Sequence, residues 1–169
     1  ESSGMQARPY GLQDDPGMPR LERLLQTAPE TIIIAHGPGF WAEMAANTRP
    51  EQKWSYPKGP IREEGATWHL LRTYPNLYAD LSATSGYNAI SRDPEFGYWF
   101  LNEFQDQLCF ATDVWSVTQM DNRLIWLAEF LKDALASDKI SQEVFDKVAY
   151  KNAERVLGHR LTVAARLVQ

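Results

Sequence analysis

Two polar residues that follow apolar segments are the strongest candidates for chemistry in this sequence. His36 follows the β-branched segment TIIIA at 31–35, and Asp113 follows QLCFAT at 107–112. Imidazole and carboxylate groups are preferred ligands for zinc-like or manganese-like ions, and the same groups act as general acids and bases. The alternative is that His36 is a core histidine bonded to a backbone carbonyl and that Asp113 caps the next helix. Taken together, the two residues favour a site.

Buried strands must position these residues, because neither apolar segment alternates with polar residues. Such segments are typical of parallel sheets covered by helices on both faces. Apolar spacing, capping residues and turn residues predict the other elements. Strands are predicted at 31–35, 77–82 and 107–113, and a loop is predicted at 83–92. Helices are predicted at 19–28, 40–47 (short), 64–73, 94–104, 121–135 and 141–157. Asp93 is the predicted N-cap of the helix at 94–104, and Ser141 is that of the helix at 141–157. This alternation predicts right-handed βαβ units.

The spacing of the strand ends favours a barrel over an open sheet. His36, Asp80 and Asp113 lie 44 and 33 positions apart, the first interval being lengthened by an insertion at 48–60. A (β/α)₈ barrel of about 250 residues averages roughly 31 residues per unit, and its catalytic groups lie at the carboxyl ends of the strands. His36 and Asp113 are therefore predicted to approach each other and to point into the same mouth. A three-stranded doubly wound sheet remains an alternative. However, HGPG at 36–39 is too short for a dinucleotide-binding loop.

Five segments resemble, in order and spacing, the last third of the amidohydrolase-related family of metal-dependent hydrolases and decarboxylases. They are PRLERLL at 19–25, IIIAHGPGFW at 32–41, YPNLYADLSA at 74–83, QLCFATD at 107–113 and YKNAERVLG at 150–158. The resemblance implies an α/β fold that is a partial TIM (β/α)₈ barrel, with strands six to eight and the C-terminal helices. Residues 1–169 would then be the C-terminal portion of the barrel, and its N-terminal strands would be absent.

The same resemblance implies roles for the two candidate residues. His36, at the end of strand six, would be a metal ligand or an acid/base group, and Asp113, at the end of strand eight, would be a ligand and a proton acceptor. The cofactor would be a divalent metal ion, zinc or manganese. The family's His-x-His on strand one and its strand-five histidine have no counterpart, because the other histidines are His69, in a predicted helix, and His159, after the last one. Since a catalytic zinc normally has three or more protein ligands, the chain alone is expected to be inactive.

Six further residues could contact a small-molecule substrate at the mouth of the barrel. They are Arg8, Phe40, Trp41, Tyr87, Asn88 and Trp115. An aromatic mouth with an arginine suits an aromatic or carboxylated substrate. The alternative is that the aromatic residues pack loops onto the barrel rim. Asp80 and Ser82 face the same side of their strand, and spacing alone does not decide whether that side is the interior.

Composition and charge limit the classes of binding partner that we expect. The net charge of −5 is scattered, so a nucleic acid is not expected, and no segment approaches the roughly 20 apolar residues that cross a bilayer. The one cysteine, Cys109, lies in an apolar strand, which predicts a buried thiol and a cytoplasmic location. A second hypothesis is a non-catalytic half-barrel or assembly subunit. Either way, unpaired strand edges predict association with other copies or with a chain that supplies the missing strands.

Overall fold

Three parallel strands form a sheet at the centre of the molecule. The computed structural model describes residues 14–53, 55–114, 116 and 123–158. The strands are β1 (Ile33–Ala35), β2 (Leu77–Asp80) and β3 (Leu108–Cys109), in the order β1-β2-β3. Ile33 pairs with Leu77, and Asp80 pairs with Cys109. The prediction of an α/β fold with a parallel sheet is confirmed, although each strand is shorter than predicted.

Helices connect and cover the strands. The α-helices are α1 (Pro19–Thr27), α2 (Pro38–Trp41), α3 (Ala66–Thr73), α4 (Ala83–Ser91), α5 (Pro94–Glu103), α6 (Arg123–Ala136) and α7 (Gln142–Asp146). Two 3₁₀ turns lie at Ala42–Met44 and Pro50–Gln52. The C-terminal helix consists of α7, a π-helical turn at Lys147–Lys151 and a further helical segment at 152–158. None of the described helices is both long and apolar enough to cross a membrane.

Local signals fixed the starts of two helices as the sequence predicted. The Asp93 carboxylate accepts a hydrogen bond from the Phe96 N–H at 3.5 Å, and Pro94 occupies the first helical position of α5. The Ser141 hydroxyl accepts from the Val144 N–H at 3.2 Å at the start of α7. These side chains satisfy backbone donors that have no partner inside the helix.

The predicted loop at 83–92 is wrong, because α4 occupies Ala83–Ser91. The segment is poor in strong helix formers, so its helix depends on packing. Ala89 and Ile90 are buried, and Gly86 lies so close to β2 that an added Cβ would be 2.4 Å from the Leu81 carbonyl carbon. Tertiary contact with the strand end therefore overrides the local preference for a loop.

The outer edge of β3 is covered by the C-terminal helix. The Phe110 N–H donates to the Val148 carbonyl at 2.7 Å, within the π-helical turn. The Asn152 side-chain amide donates to the carbonyls of Leu108 at 2.8 Å and Gln105 at 2.7 Å. A helix thus satisfies backbone groups that a further strand would otherwise pair with.

At the other edge of the sheet, apolar side chains at β1 are exposed. Ile32 and Ile34 are 46% and 44% exposed, whereas Tyr78 on β2 is buried and has the Arg155 guanidinium 5.6 Å from its ring centroid. Leu108 on β3 is also fully buried. The side chains of Tyr78 and Leu108 are therefore buried within this chain, whereas those of Ile32 and Ile34 are not.

We predict that Asn152→Ala lowers the free energy of unfolding by about 1–3 kcal/mol. The substitution leaves two carbonyls at the β3 edge without their donor, and Asn152 is only 2% exposed. Urea denaturation of both proteins would measure the change. Glu154→Ala, at an exposed position of the same helix, is the matched control and should stay within about 0.5 kcal/mol of the parent. Equal stability of the Asn152→Ala protein would contradict this role for the side chain.

Candidate active site

The carboxyl ends of the three strands bring three polar side chains together. His36 directly follows β1, Asp80 ends β2 and Asp113 lies in the loop after β3. The His36 Nε2 atom is 3.8 Å from Asp113 Oδ2. The predicted approach of His36 and Asp113 is confirmed, since parallel strands that end at one edge present their following residues to the same mouth. Their role in catalysis stays a prediction.

The other ring nitrogen of His36 faces β2. Its Nδ1 atom lies 3.0 Å from Asp80 Oδ1 and 3.2 Å from Asp80 Oδ2, and 3.1 Å from the Ser82 hydroxyl oxygen. The Ser82 hydroxyl also donates to Asp80 Oδ1, and the Ser82 N–H donates to the same oxygen at 3.1 Å. The imidazole therefore lies between two carboxylates, one on each side of the ring.

Unusual backbone conformations surround these side chains. Gly37, directly after His36, has φ +87°, and Ala83 and Asp113 have φ +56° and +55°. The left-handed region costs a residue with a Cβ roughly 1–2 kcal/mol, although aspartate tolerates it better than most. Residues held in this way cluster at functional sites. Two of the described non-glycine residues with positive φ thus adjoin or belong to the site.

The mouth is open to solvent on the Asp113 side. The Asp113 side chain is 50% exposed and that of His36 is 38% exposed, whereas that of Asp80 is 17% exposed. An exposed ion pair contributes little stability, so the approach of His36 to Asp113 does not itself hold the loop. The His36–Asp80 contact is the more enclosed of the two and is the one that orients the ring.

The described residues supply only part of a metal site. Within them, no group of three or more His, Cys, Asp and Glu side chains could hold a metal ion. His36 Nε2 and the Asp113 carboxylate are donors of the right chemistry, but a catalytic zinc needs at least three protein ligands. The residues in this part of the chain therefore do not fit a complete metal site.

The predicted substrate-contacting residues occupy different surroundings. Phe40 and Trp41 are buried in the core with their ring centroids 5.0 Å apart, and the Trp41 indole N–H donates to the Asp80 carbonyl at 3.0 Å. Trp41 thus touches the site through the β2 backbone.

The remaining four divide into two pairs. The Tyr87 ring packs 5.6 Å from that of Trp126, and the Asn88 amide donates to the Pro57 carbonyl at 3.0 Å. Arg8 and Trp115 lie outside the described residues. Substrate contact by all six residues stays a prediction.

Asp80 and Ser82 contact His36, although the sequence alone did not assign them to the site. The signal was present in YADLS at 78–82, where two polar residues alternate with apolar ones at the end of a strand. What was missing was the strand register. Asp80 is the residue of β2 that follows Ala79, the partner of Ala35, so it stands beside His36.

Cys109 lies in β3 beside this site but is a buried thiol rather than a nucleophile. The pKa of the Cys109 thiol is raised to about 11, chiefly by burial and also by the nearby Asp80 charge, while the Arg155 charge opposes the shift. Only the thiolate reacts as a nucleophile. The cysteine therefore belongs to the packing of the sheet, as the sequence predicted.

Comparison with known proteins gives a family match over most of the chain. The amidohydrolase family model matches residues 13–159, which include all three strands and the site. No curated protein and no solved structure is significantly similar to the chain.

We predict that Cys109 in the folded chain reacts with a disulfide reagent at pH 8 at least about 100-fold more slowly than in the urea-unfolded chain. A thiol pKa near 11 instead of 9.0 lowers the thiolate fraction by about that factor, and burial adds steric protection. The release of the coloured thiol from the reagent measures both rates. Similar rates before and after unfolding would show that the thiol is accessible and that its pKa is ordinary.

Proposed function

Because the chain belongs to the amidohydrolase family, we propose that it forms part of the active site of a metal-dependent enzyme. The enzyme either hydrolyses a C–N or ester bond or decarboxylates an aromatic acid. The observation that carries the proposal is the approach of His36 Nε2 to Asp113 Oδ2 within 3.8 Å at the carboxyl edge of a parallel sheet. Family membership supports the hydrolase or decarboxylase class, and the geometry supports these two residues as its functional groups.

In this proposal His36 and Asp113 are the residues of this chain that would hold a divalent ion, zinc or manganese. The remaining ligands would come from outside the described residues. Amidohydrolases typically use divalent metals, and such an ion supplies Lewis-acid activation of water or of a carbonyl group. The Asp113 carboxylate is half exposed and can accept a proton at the mouth. The alternative role for His36 is to exchange a proton through Nε2 instead of binding the ion.

We propose further that the chain is part of a TIM-type barrel and that the preceding strand joins at β1; to close the barrel, another strand would have to replace the C-terminal helix at the β3 edge. The exposed side chains of Ile32 and Ile34 lie at the β1 edge, whereas the C-terminal helix already covers the β3 edge. Full burial of an isoleucine-sized side chain is worth about 1.5–3 kcal/mol, so covering this edge stabilises the assembly. Other copies of the chain or a chain with the missing strands could provide the cover.

The second candidate is a non-catalytic assembly subunit. Two observations favour it: the described residues supply an incomplete set of metal donors, and the C-terminal helix of this chain already hydrogen-bonds to the β3 edge. Activity measurements separate the two candidates, because an assembly subunit would complete a structure without any turnover that depends on His36.

We predict that His36→Ala and Asp113→Asn each reduce turnover at least about 100-fold in the chain combined with the strands that complete its barrel. General acid–base catalysis alone contributes a factor of about 10²–10⁴. The assay would use amide, ester and aromatic carboxylic acid substrates with added Zn²⁺ or Mn²⁺. His69→Ala, at an exposed histidine of α3, is the matched control and should keep full turnover.

The isolated chain should show no metal-stimulated turnover in the same assay, because two donors do not complete the site. Turnover by the isolated chain would contradict the incomplete ligand set. Full activity of the His36→Ala protein would remove His36 from the mechanism.

We predict that Ile34→Lys weakens association of the isolated chain by placing a charge on the β1 edge. Sedimentation velocity should show oligomers for the parent chain and a shift towards monomer for the variant. Leu24→Lys is the matched control, because Leu24 on α1 is 45% exposed, close to the 44% of Ile34, but lies on a helix. A monomeric parent chain, or equal effects of the two substitutions, would contradict association through this edge.

A further inference from the structure

We propose that Asp80, assisted by Ser82, is a positioning residue that selects the tautomer of His36 with the proton on Nδ1 and the lone pair on Nε2. The use of that lone pair at the mouth rests on the function proposed above. The tautomer itself is a property of this chain and can be measured without any activity.

The Asp80 contact determines which nitrogen of the His36 ring carries the proton. An ionised carboxylate can only accept hydrogen bonds, so the His36 Nδ1 atom at 3.0 Å from Asp80 Oδ1 must be the donor. A neutral imidazole carries one proton, and with that proton on Nδ1 its Nε2 atom has a free lone pair. That atom is the one directed at Asp113 and the mouth.

Ser82 reinforces the same tautomer. A hydroxyl has a single proton, and the Ser82 hydroxyl directs it to Asp80 Oδ1, where it forms a charge-assisted bond. Its oxygen, 3.1 Å from His36 Nδ1, therefore faces the ring as an acceptor. Had the hydroxyl donated to Nδ1 instead, the ring proton would lie on Nε2 and the lone pair would point away from the mouth.

Asp113 is the competing carboxylate, and distance decides against it. Its nearest oxygen is 3.8 Å from Nε2, beyond the range of a hydrogen bond, whereas Asp80 is within it on the opposite side of the ring. Asp113 is also 50% exposed, against 17% for Asp80, so solvent screens its charge more strongly. The shorter distance and the lower exposure of Asp80 therefore both favour a proton on Nδ1.

The Asp80 carboxylate is itself held in place. Its backbone belongs to the central strand β2, its carbonyl accepts the Trp41 indole N–H at 3.0 Å, and its Oδ1 atom accepts both the N–H and the hydroxyl of Ser82. A carboxylate fixed in this way orients the imidazole and also favours one tautomer. In functional histidines, the hydrogen bond made by the ring nitrogen that faces away from the site sets the orientation of the ring.

The test is the ¹⁵N spectrum of the histidine rings in the ¹⁵N-labelled 169-residue chain, at a pH where His36 is neutral. Long-range ¹H–¹⁵N correlation distinguishes a protonated ring nitrogen from one with a lone pair, and loss of signals in His36→Asn assigns the residue. We expect His36 to show a protonated Nδ1 and an unprotonated Nε2. A spectrum dominated by a protonated Nε2 would overturn the proposal outright.

Substitutions then identify the cause. Asp80→Ala should mix the two tautomers, so that the two ring-nitrogen shifts move towards each other, and Ser82→Ala should do so to a smaller extent. Asp113→Ala is the matched control and should leave the tautomer unchanged, and His69 provides an internal reference in every spectrum. An unchanged His36 pattern in a folded Asp80→Ala chain would overturn the proposal. If that variant does not fold, Asp80→Leu and Ser82→Ala take its place, and the parent spectrum still decides the tautomer.

In the completed enzyme Asp80→Ala should lower kcat by about 10–100-fold with little change in KM. Loss of the hydrogen-bond partner that orients a functional histidine typically has an effect of this size. Failure of the enzyme proposal and failure of this inference are distinguishable. A chain without hydrolase or decarboxylase activity would still show the Nδ1-protonated ring, and an active enzyme with an Nε2-protonated ring would refute the inference alone.

Discussion

The in-register parallel pairing of three strands is the constraint on which the site depends. Since β1, β2 and β3 run in the same direction, they end at one edge, and the residues that follow them meet there. His36 stands beside Asp80 because Ala35 pairs with Ala79. A register shift of one residue would turn Asp80 to the opposite face of the sheet and leave the imidazole without its carboxylate.

The helices preserve this register through specific contacts at the strand ends. The Trp41 indole bonds the Asp80 carbonyl, and Gly86 lets α4 approach Leu81 more closely than a residue with a Cβ could. The same turns carry strain, as Ala83 adopts a left-handed conformation directly after Ser82. Packing of α4 against the core, where Ala89 and Ile90 are buried, offsets that cost.

The sheet has two unlike edges, and this asymmetry connects the fold to the proposed assembly. The C-terminal helix satisfies the β3 edge through Asn152 and through the Val148 carbonyl in its π-helical turn. The β1 edge instead presents Ile32 and Ile34 to solvent. A π-helical turn displaces a backbone carbonyl from its ordinary helical partner, which explains how a helix can act as acceptor for a strand N–H.

The sequence by itself determined the features that depend on neighbouring residues along the chain. Apolar segments ending in His36 and Asp113 predicted parallel strands and a shared mouth, and Asp93 and Ser141 marked helix starts, because caps and burial patterns are local signals. Tertiary structure decided the rest. The helix at Ala83–Ser91 exists because Gly86 fits against β2, and Asp80 orients His36 because of strand register. Such contacts join residues far apart in sequence, and no local pattern specifies which partner a polar side chain will meet.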